Sequence, residues 1–231
     1  MTAEELGKIT KPNADHAQRS RKIYLVPLII NYFPDIEDYT SLLKEYWQAC
    51  DIQIQKLESQ AGIVSKIFHE GVWSEGKEGL NQIGSLNKFS LDLINSRIRT
   101  GSTLLSIEFE DNYKQLMDWT RIIQLGFASE HVKDLILKEY TEVVENRSSF
   151  VTDQLNKIGE TEAGLLIGSV KNFKIPQEIE IFNIMPPEHD KIIRWLTEKE
   201  KSLNGTESPK DSKENTTQKD SSDKESGLWT P

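Results

Sequence analysis

The residues best suited to chemistry stand just after short apolar runs of the chain. His69 and Glu70 follow one run, and Glu108 follows the next. A histidine with two carboxylates can ligate a metal ion or divide the acid and base roles of a hydrolase, because their surroundings can push their pKa values apart. His69, Glu70 and Glu108 are therefore candidate catalytic residues, provided that the runs are neighbouring strands.

Three further polar residues are suited to holding a ligand. Asn31 follows the first apolar run and Lys171 follows the fourth, while Arg147, in a long helical pattern, is the residue that the family resemblance given below implies. Two cations near two carboxylates favour a small polar or anionic ligand, since charge-assisted hydrogen bonds are the strong ones. Arg147, Lys171 and Asn31 are therefore candidate ligand-binding residues, and binding of this kind does not require catalysis.

No motif in the sequence defines a metal, nucleotide or serine-hydrolase site. His69-Glu70 is not part of H-E-x-x-H, because Trp73 stands where the second histidine is needed. Residues 71–77 match G-x-x-x-x-G-K, but Glu78 replaces the Ser or Thr that would hold magnesium, and its carboxylate repels phosphate. The chain also lacks G-x-S-x-G, C-x-x-C and G-x-G-x-x-G. The sequence therefore predicts no metal site and identifies no cofactor.

Short β-rich runs alternate with long amphipathic stretches. The predicted strands are residues 23–30, 63–68, 103–107, 163–168 and 179–184. Pro27 is unfavourable within the first of them, because proline removes a hydrogen bond between strands. The stretches between them carry apolar residues at spacings of three and four, as buried helix faces do. This alternation predicts a single α/β domain with a mostly parallel sheet of about five strands, flanked by long helices, with disordered ends.

A parallel sheet of this kind explains where the candidate residues should meet. The carboxyl ends of its strands share one edge, where loops and helix N-termini converge and ligands bind. We therefore expect a strand-end cleft that contains the polar residues named above.

The two ends of the chain differ from its middle. Residues 1–22 are polar and lack periodicity, and residues 202–231 consist mostly of Ser, Thr, Lys, Asp, Glu and Asn. Such segments bury too little apolar surface to offset the entropy lost on ordering. We predict a flexible arm over 1–22, an α/β domain over 23–201 and a disordered tail over 202–231, in which Leu228-Trp229 is a candidate docking motif for a protein partner.

Charge and cysteine content exclude several classes of protein. The net charge is −9, so the chain repels nucleic acids and anionic membranes. The N-terminus lacks a secretory apolar segment, and the longest apolar run, 23–30, is far shorter than the roughly 20 residues of a membrane helix. The one cysteine, Cys50, fits a reducing compartment and the apolar side of a helix. We expect a cytoplasmic protein that engages neither nucleic acid nor membrane.

A set of short markers runs from about residue 23 to residue 200. Its members are IYLVPLII at 23–30, IVSKIFHEG at 63–71, GSLN at 84–87, RTGSTLLSIE at 99–108, RSSFVTDQL at 147–155 and EAGLLIGSVK at 162–171. On these markers the chain resembles a group of uncharacterised bacterial proteins that is remotely similar to the TraB/ChaN/erythromycin-esterase-like superfamily.

The resemblance implies an α/β sheet with a polar cleft. Its expected parts are a strand-end glutamate, an arginine that opens a helical R-x-x-x-[MIV] segment, and a histidine after a G-x-x motif. Glu108 and Arg147 match the first two parts. Lys171 stands where the histidine is expected, and Asn31 ends the first strand, where a histidine is common. Because both imidazoles are replaced, the resemblance favours a binding or scaffold protein over a hydrolase.

The residues support three functional hypotheses. The leading one is a strand-end cleft that binds a small polar or anionic ligand, in a catalytically degenerate relative of TraB/ChaN-like proteins. The second is a metal-assisted or carboxylate-based hydrolase that uses Glu70 or Glu108 with His69. The third is a protein-interaction module whose acidic body and Leu228-Trp229 tail engage a partner.

Overall fold

Five parallel strands form the sheet that positions the candidate site. A computed structural model describes residues 20–169 and 173–204 of the protein. The strands are β1 (Arg21–Val26), β2 (Val64–His69), β3 (Thr103–Leu104), β4 (Ala163–Ile167) and β5 (Ile179–Asn183). They lie in the order β3-β2-β4-β1-β5, and each neighbouring pair is parallel. The predicted α/β fold class is confirmed.

Long helices connect most of the strands. Within the described ranges they are α1 (Glu37–Ala61), α2 (Gly76–Asn87), α3 (Leu91–Arg99), α4 (Glu110–Gln124), α5 (Glu130–Leu155) and α6 (Pro187–Asn204). A short 3-10 turn, Lys88–Ser90, separates α2 from α3. In this part of the chain, no helix combines the length and the apolar character needed to cross a membrane.

The first and third strands end earlier than the sequence predicts. β1 stops at Val26, directly before Pro27. Proline has no N–H to give to the sheet and also restricts the residue before it, so the strand ends there. β3 keeps only two residues, although the Leu105 amide still donates to the Ile67 carbonyl at 3.0 Å. The chain that follows both strands is therefore loop, and it lies at the edge where the candidate residues are expected.

The central strands β1, β2 and β4 are mostly buried on both faces, which is why they read as continuous apolar runs. All five residues of β4 are buried. On one face, Phe68 packs against Val151 and Leu155 of α5. On the other, the Tyr24 hydroxyl donates to the Gly62 carbonyl at the end of α1, at 2.7 Å. Successive side chains along a strand therefore face α5 and α1 in turn.

A buried arginine joins the helices on the α1 face. Arg97 of α3 pairs with Asp51 and Glu58 of α1, and its distance to Glu58 is 3.2 Å. The same helix α1 buries Cys50, as predicted. Burial raises the pKa of the Cys50 thiol to about 12, so the thiol stays protonated at neutral pH and is a packing group.

The predicted domain boundaries fall near the limits of the described residues. The chain divides into two units, residues 1–195 and 196–231. The first unit holds the sheet, and of the second the structure describes only the end of α6. Arg21 and Lys22, which were assigned to the arm, belong to β1, and α6 continues past residue 201 to Asn204. Residues 1–19 and 205–231, with Leu228-Trp229, lie outside the described residues.

Two glycines of α2 should respond in opposite ways to alanine. A Cβ at Gly79 would overlap the Ser74 backbone oxygen and lie 2.9 Å from the Leu104 side chain. At Gly84 the nearest neighbour, Leu91 Cδ1, is 3.5 Å away. Gly79→Ala should lower the free energy of unfolding by about 1–3 kcal/mol, and Gly84→Ala should raise it by about 0.5–1 kcal/mol. Urea denaturation measures both changes, and equal effects would show that the close contact at Gly79 is absent.

Candidate functional site

The two predicted carboxylates lie where the chain changes sides of the sheet. After β2 the chain enters α2 and α3, and α3 pairs with α1 on one face. After β3 it enters α4 and α5, and α5 packs on the other face. β2 and β3 are neighbours, so their carboxyl ends flank a crevice of the kind in which open α/β sheets bind ligands. Glu70 follows β2 and Glu108 follows β3, so both stand at this crevice.

Glu70, Glu108 and Arg147 form one set of contacts, which we term the Arg147 cluster. Arg147 Nε donates to Glu108 Oε2 at 2.8 Å, and Nη2 donates to Glu108 Oε1 at 2.5 Å. Nη2 also donates to Glu70 Oε1 at 3.2 Å. The two-pronged contact with Glu108 is the geometry in which a guanidinium binds a carboxylate most strongly. The structure thus brings together three of the predicted site residues.

Backbone amides hold the two carboxylates in place. The Ser169 amide donates to Glu70 Oε2 at 2.9 Å, and the Gly71 amide donates to Glu108 Oε1 at 3.4 Å. Ser169 follows β4 and Gly71 follows β2, and these strands are paired in parallel. Gly71 has a φ of 79°, which glycine adopts without strain. The strand pairing therefore sets the positions of both amides and, through them, of both carboxylates.

The Arg147 cluster is nearly closed to solvent. The side chains of Glu108, Arg147 and Glu70 are 0%, 8% and 13% exposed. Burial by itself lowers the pKa of Arg147, but the hydrogen bonds and charges of Glu108 and Glu70 outweigh it and raise the pKa above its usual value. The ring of Phe173 lies 5.0 Å from Arg147 Cζ. Arg147 is thus a permanent cation held between two carboxylates and an aromatic ring.

A cleft of about 460 Å³, which we term the main lobe, opens beside the cluster between α4 and α5. Apolar and aromatic side chains and hydroxyls line it together, among them Tyr113, Met117, Tyr140, Val144, Ser148 and Phe173. Burial, followed by the charges of Glu108 and Glu70, raises the pKa of Tyr113. The Tyr113 hydroxyl therefore stays protonated and can donate a hydrogen bond.

A second cavity of about 340 Å³, which we term the side lobe, adjoins the first. Its own walls are mainly aliphatic and include Leu28, Ile30 and Leu86. The residues that line both cavities are Glu70, Tyr113 and Met117. The two lobes therefore share part of their walls, and we refer to them together as the elongated cleft.

The structure does not place the His69 side chain in this cleft. Phe68 faces α5, and neighbouring residues of a strand point to opposite faces, so His69 faces the α1 side. Its ring is fully buried, with Nδ1 2.7 Å from the Glu70 carbonyl oxygen. Burial lowers the pKa of His69 to about 4, so the ring is neutral at neutral pH. Within the described residues, no group of His, Cys, Asp and Glu side chains is arranged to hold a metal ion.

Of the remaining two predicted residues, the structure describes only Asn31. Asn31 stands in a loop, because β1 already ends at Val26. Its Oδ1 accepts a hydrogen bond from the Phe33 amide at 3.3 Å and so stabilises that loop. Lys171 lies in the segment 170–172, outside the described residues, and its part in the site stays a prediction.

The first four amides of the loop that matches G-x-x-x-x-G-K, at residues 71–74, are bonded within the protein. The amides of Trp73 and Ser74 both donate to Gln82 Oε1, each at 3.2 Å. A phosphate-binding loop needs such amides to point at the phosphate. The loop geometry therefore gives a second reason, besides Glu78, against nucleotide binding at residues 71–77.

Sequence reasoning missed most of the residues that line the cleft, among them Tyr113 and Phe173. Tyr113 lies in the first turn of α4, directly after the strand-end Glu108, and a residue there faces the strand-end edge. That position was the signal that could have identified it, since helix N-termini converge on ligands at this edge. Phe173 is a lone aromatic in the loop after β4, and its position over Arg147 depends on the folded loop.

The fold and the site define a parallel α/β protein with a ligand-sized cleft at the switch point of its sheet. No family model, characterised protein or solved structure matches the chain. The resemblance to TraB/ChaN-like proteins therefore stays a prediction from the sequence markers.

Proposed function

We propose that this protein binds a small molecule in the elongated cleft, in the cytoplasm and without the need for catalysis. The observation that carries the proposal is the Arg147 cluster, a buried set of charges that holds one wall of a ligand-sized cavity in place. Polar groups at fixed positions beside mostly apolar walls are the usual form of a small-molecule site. The position at the switch point of the sheet supports the same conclusion.

The members of the cluster have different roles in this proposal. Glu108 has no exposed side-chain surface, so it supports Arg147 and does not contact the ligand. Arg147 orients Glu70, and Glu70 lines both lobes. The hydrolase alternative requires a second carboxylate and a histidine that reach the substrate, whereas Glu108 and His69 are both buried. We therefore favour binding over hydrolysis.

Kinship with TraB/ChaN-like proteins is part of this proposal and is supported by the sequence markers alone. The two positions that match the expected pattern, Glu108 and Arg147, are in direct contact. A role for the Leu228-Trp229 tail in binding a protein partner stays a prediction, because the tail lies outside the described residues.

A groove of about 550 Å³ between α1 and α3 is the main competitor for a ligand. It lies on the α1 face, away from the strand ends. Its lining residues Lys44 and Lys88 are exposed, and one of its two carboxylates, Asp51, is already paired with Arg97. We prefer the strand-end cleft because the charged groups of the Arg147 cluster beside it are buried and held in fixed positions.

Chemical-shift mapping by NMR tests the proposal without knowledge of the natural ligand. Phenol and isopropanol are added separately to the ¹⁵N-labelled full-length protein as neutral probes. We expect the largest shifts at the amides of Tyr113, Val144 and Ser148, since small organic molecules concentrate in apolar clefts with a few fixed polar groups. Shifts confined to the α1–α3 groove, or spread evenly over the surface, would contradict the proposal.

A matched pair of tryptophan variants on α5 provides the control. Val144 lines the main lobe, whereas Leu135 is exposed and lines neither lobe. Val144→Trp fills the cleft and should weaken phenol binding by about tenfold, while Leu135→Trp should leave it unchanged. Similar binding in the two variants would place the phenol site elsewhere.

A further inference from the structure

We propose that the elongated cleft accepts an anionic amphiphile, with its aliphatic tail in the side lobe and its anionic head in the main lobe. This inference rests on the proposed function of the same cleft and adds the chemical class of its ligand.

The side lobe has the chemistry of a tail-binding site. Leu28, Ile30 and Leu86 give it aliphatic walls, and Leu86 is 42% exposed. An alkyl chain that covers these residues gains free energy in proportion to the apolar area removed from water. Because the lobe offers few polar partners, a polar ligand group there would lose its bonds to water without replacement.

A glycine keeps the passage between the lobes open. Gly71 lines the side lobe. A Cβ at this position would lie 3.1 Å from the Tyr113 hydroxyl and 3.5 Å from Leu86 Cδ1. The absence of that carbon leaves space in the side lobe beside Tyr113, a residue that lines both lobes, and we infer that the ligand chain passes there.

The main lobe offers hydrogen-bond donors at the opposite end. Lys174, Tyr140 and Ser148 line it, and their side chains carry an ammonium and two hydroxyls. In the part of the chain that the structure describes, these three groups make no side-chain hydrogen bond or ion pair. Donors with a positive charge among them suit a carboxylate, sulfate or phosphate head.

The other charges of the cleft wall are balanced within the protein. Both oxygens of Glu70 accept hydrogen bonds, from Arg147 Nη2 at 3.2 Å and from the Ser169 amide at 2.9 Å. Glu108 and Arg147 pair with each other. Among the described residues, Lys174 is therefore the charge that the main lobe presents to a ligand, and it selects a negative head.

Isothermal titration calorimetry of the full-length protein tests this inference with two probes below their micelle concentrations. Decanoate and decyltrimethylammonium have the same tail and opposite head charges. We expect decanoate to bind one to one and the cation to bind at least about tenfold more weakly. Equal affinity of the two probes, or a preference for the cation, would overturn the inference.

Three surface variants locate the two ends of the ligand. Lys174→Glu should weaken decanoate binding by about tenfold and reduce the ratio of decanoate affinity to decyltrimethylammonium affinity. Leu86→Asp should weaken the binding of both probes by about tenfold. Leu125→Asp is the control, because Leu125 is 86% exposed and lines neither lobe. An unchanged dissociation constant for decanoate in Lys174→Glu or Leu86→Asp would overturn the assignment of that end.

The neutral NMR probes separate failure of this inference from failure of the proposed function. If phenol maps to the main lobe and decanoate does not bind, the cleft is a binding site for another class of ligand and the inference fails alone. If neither phenol nor decanoate binds in the cleft, both proposals fail.

Discussion

Replacing Arg147 with methionine should lower the free energy of unfolding by about 3–5 kcal/mol. The change leaves Glu108, which has no exposed side-chain surface, without the guanidinium that holds both of its oxygens. A buried carboxylate without its counter-charge must either stay charged in a poorly polarisable interior or take up a proton, and both are costly. Urea denaturation followed by circular dichroism measures the loss.

Two further variants show whether burial is the cause. Arg121 pairs with Asp118 on α4 at 3.2 Å, and these side chains are 70% and 69% exposed, so Arg121→Met should cost no more than about 1 kcal/mol. Adding Glu108→Gln to Arg147→Met removes the buried carboxylate that lacks its counter-charge. The double variant should therefore recover part of the lost free energy of unfolding. A loss below about 1 kcal/mol for Arg147→Met would contradict the role of the cluster in stability.

Acidification from about pH 7 to about pH 5 should lower the free energy of unfolding by about 2 kcal/mol through the protonation of His69 alone. Burial lowers the pKa of His69 from 6.5 to about 4, and within the described residues its Nε2 has no hydrogen-bond partner. Between these two values the unfolded chain binds the proton and the folded chain does not, so stability falls as the pH falls. The loss begins near pH 6.5 and is complete below about pH 4.

Denaturation curves at a series of pH values for the wild type and two variants test this origin. His69→Asn removes the titrating group and keeps an N–H that can donate to the Glu70 carbonyl, so the slope of stability against pH should flatten. His131→Gln is the control, because His131 is exposed on α5, and it should keep the slope of the wild type. The same slope in all three proteins would rule out a buried neutral His69.

These effects decide where binding should be tested. Charge reversal at Arg147, which the sequence suggests as a test of ligand binding, would also destabilise the fold, so loss of binding there would have two explanations. Val144 and Lys174 lie on the wall of the main lobe and outside the Arg147 cluster. Variants at these two positions separate binding from stability.

The elements of the fold could be predicted because their signals are local. Apolar residues at spacings of three and four mark the long helices, and continuous apolar runs mark the buried strands. Where the strand predictions were too long, the physical reasons are also local: Pro27 cannot pair in the sheet. The rule that ligands bind at strand ends selected Glu70 and Glu108 from the sequence alone.

The arrangement of the site could be predicted only in part. Arg147 was selected because it matches the R-x-x-x-[MIV] pattern of the family resemblance, but its partners lie 39 and 77 positions away in the chain. Tyr113 and Phe173 were not selected at all, because their position at the cleft depends on the path of the chain after β3 and β4. His69 was grouped with the two carboxylates, although alternation along β2 turns its ring to the opposite face.

The sequence by itself determined the succession of strands and helices, the α/β class and the strand-end positions of the two carboxylates, since each depends on periodicity within a short stretch of chain. Only the tertiary structure decided that β2 lies between β3 and β4, that Arg147 reaches both Glu70 and Glu108, and that His69 faces away from them. These outcomes depend on which surfaces of strands and helices pack against each other. That choice is made by many residues far apart in the sequence, and no single segment contains it.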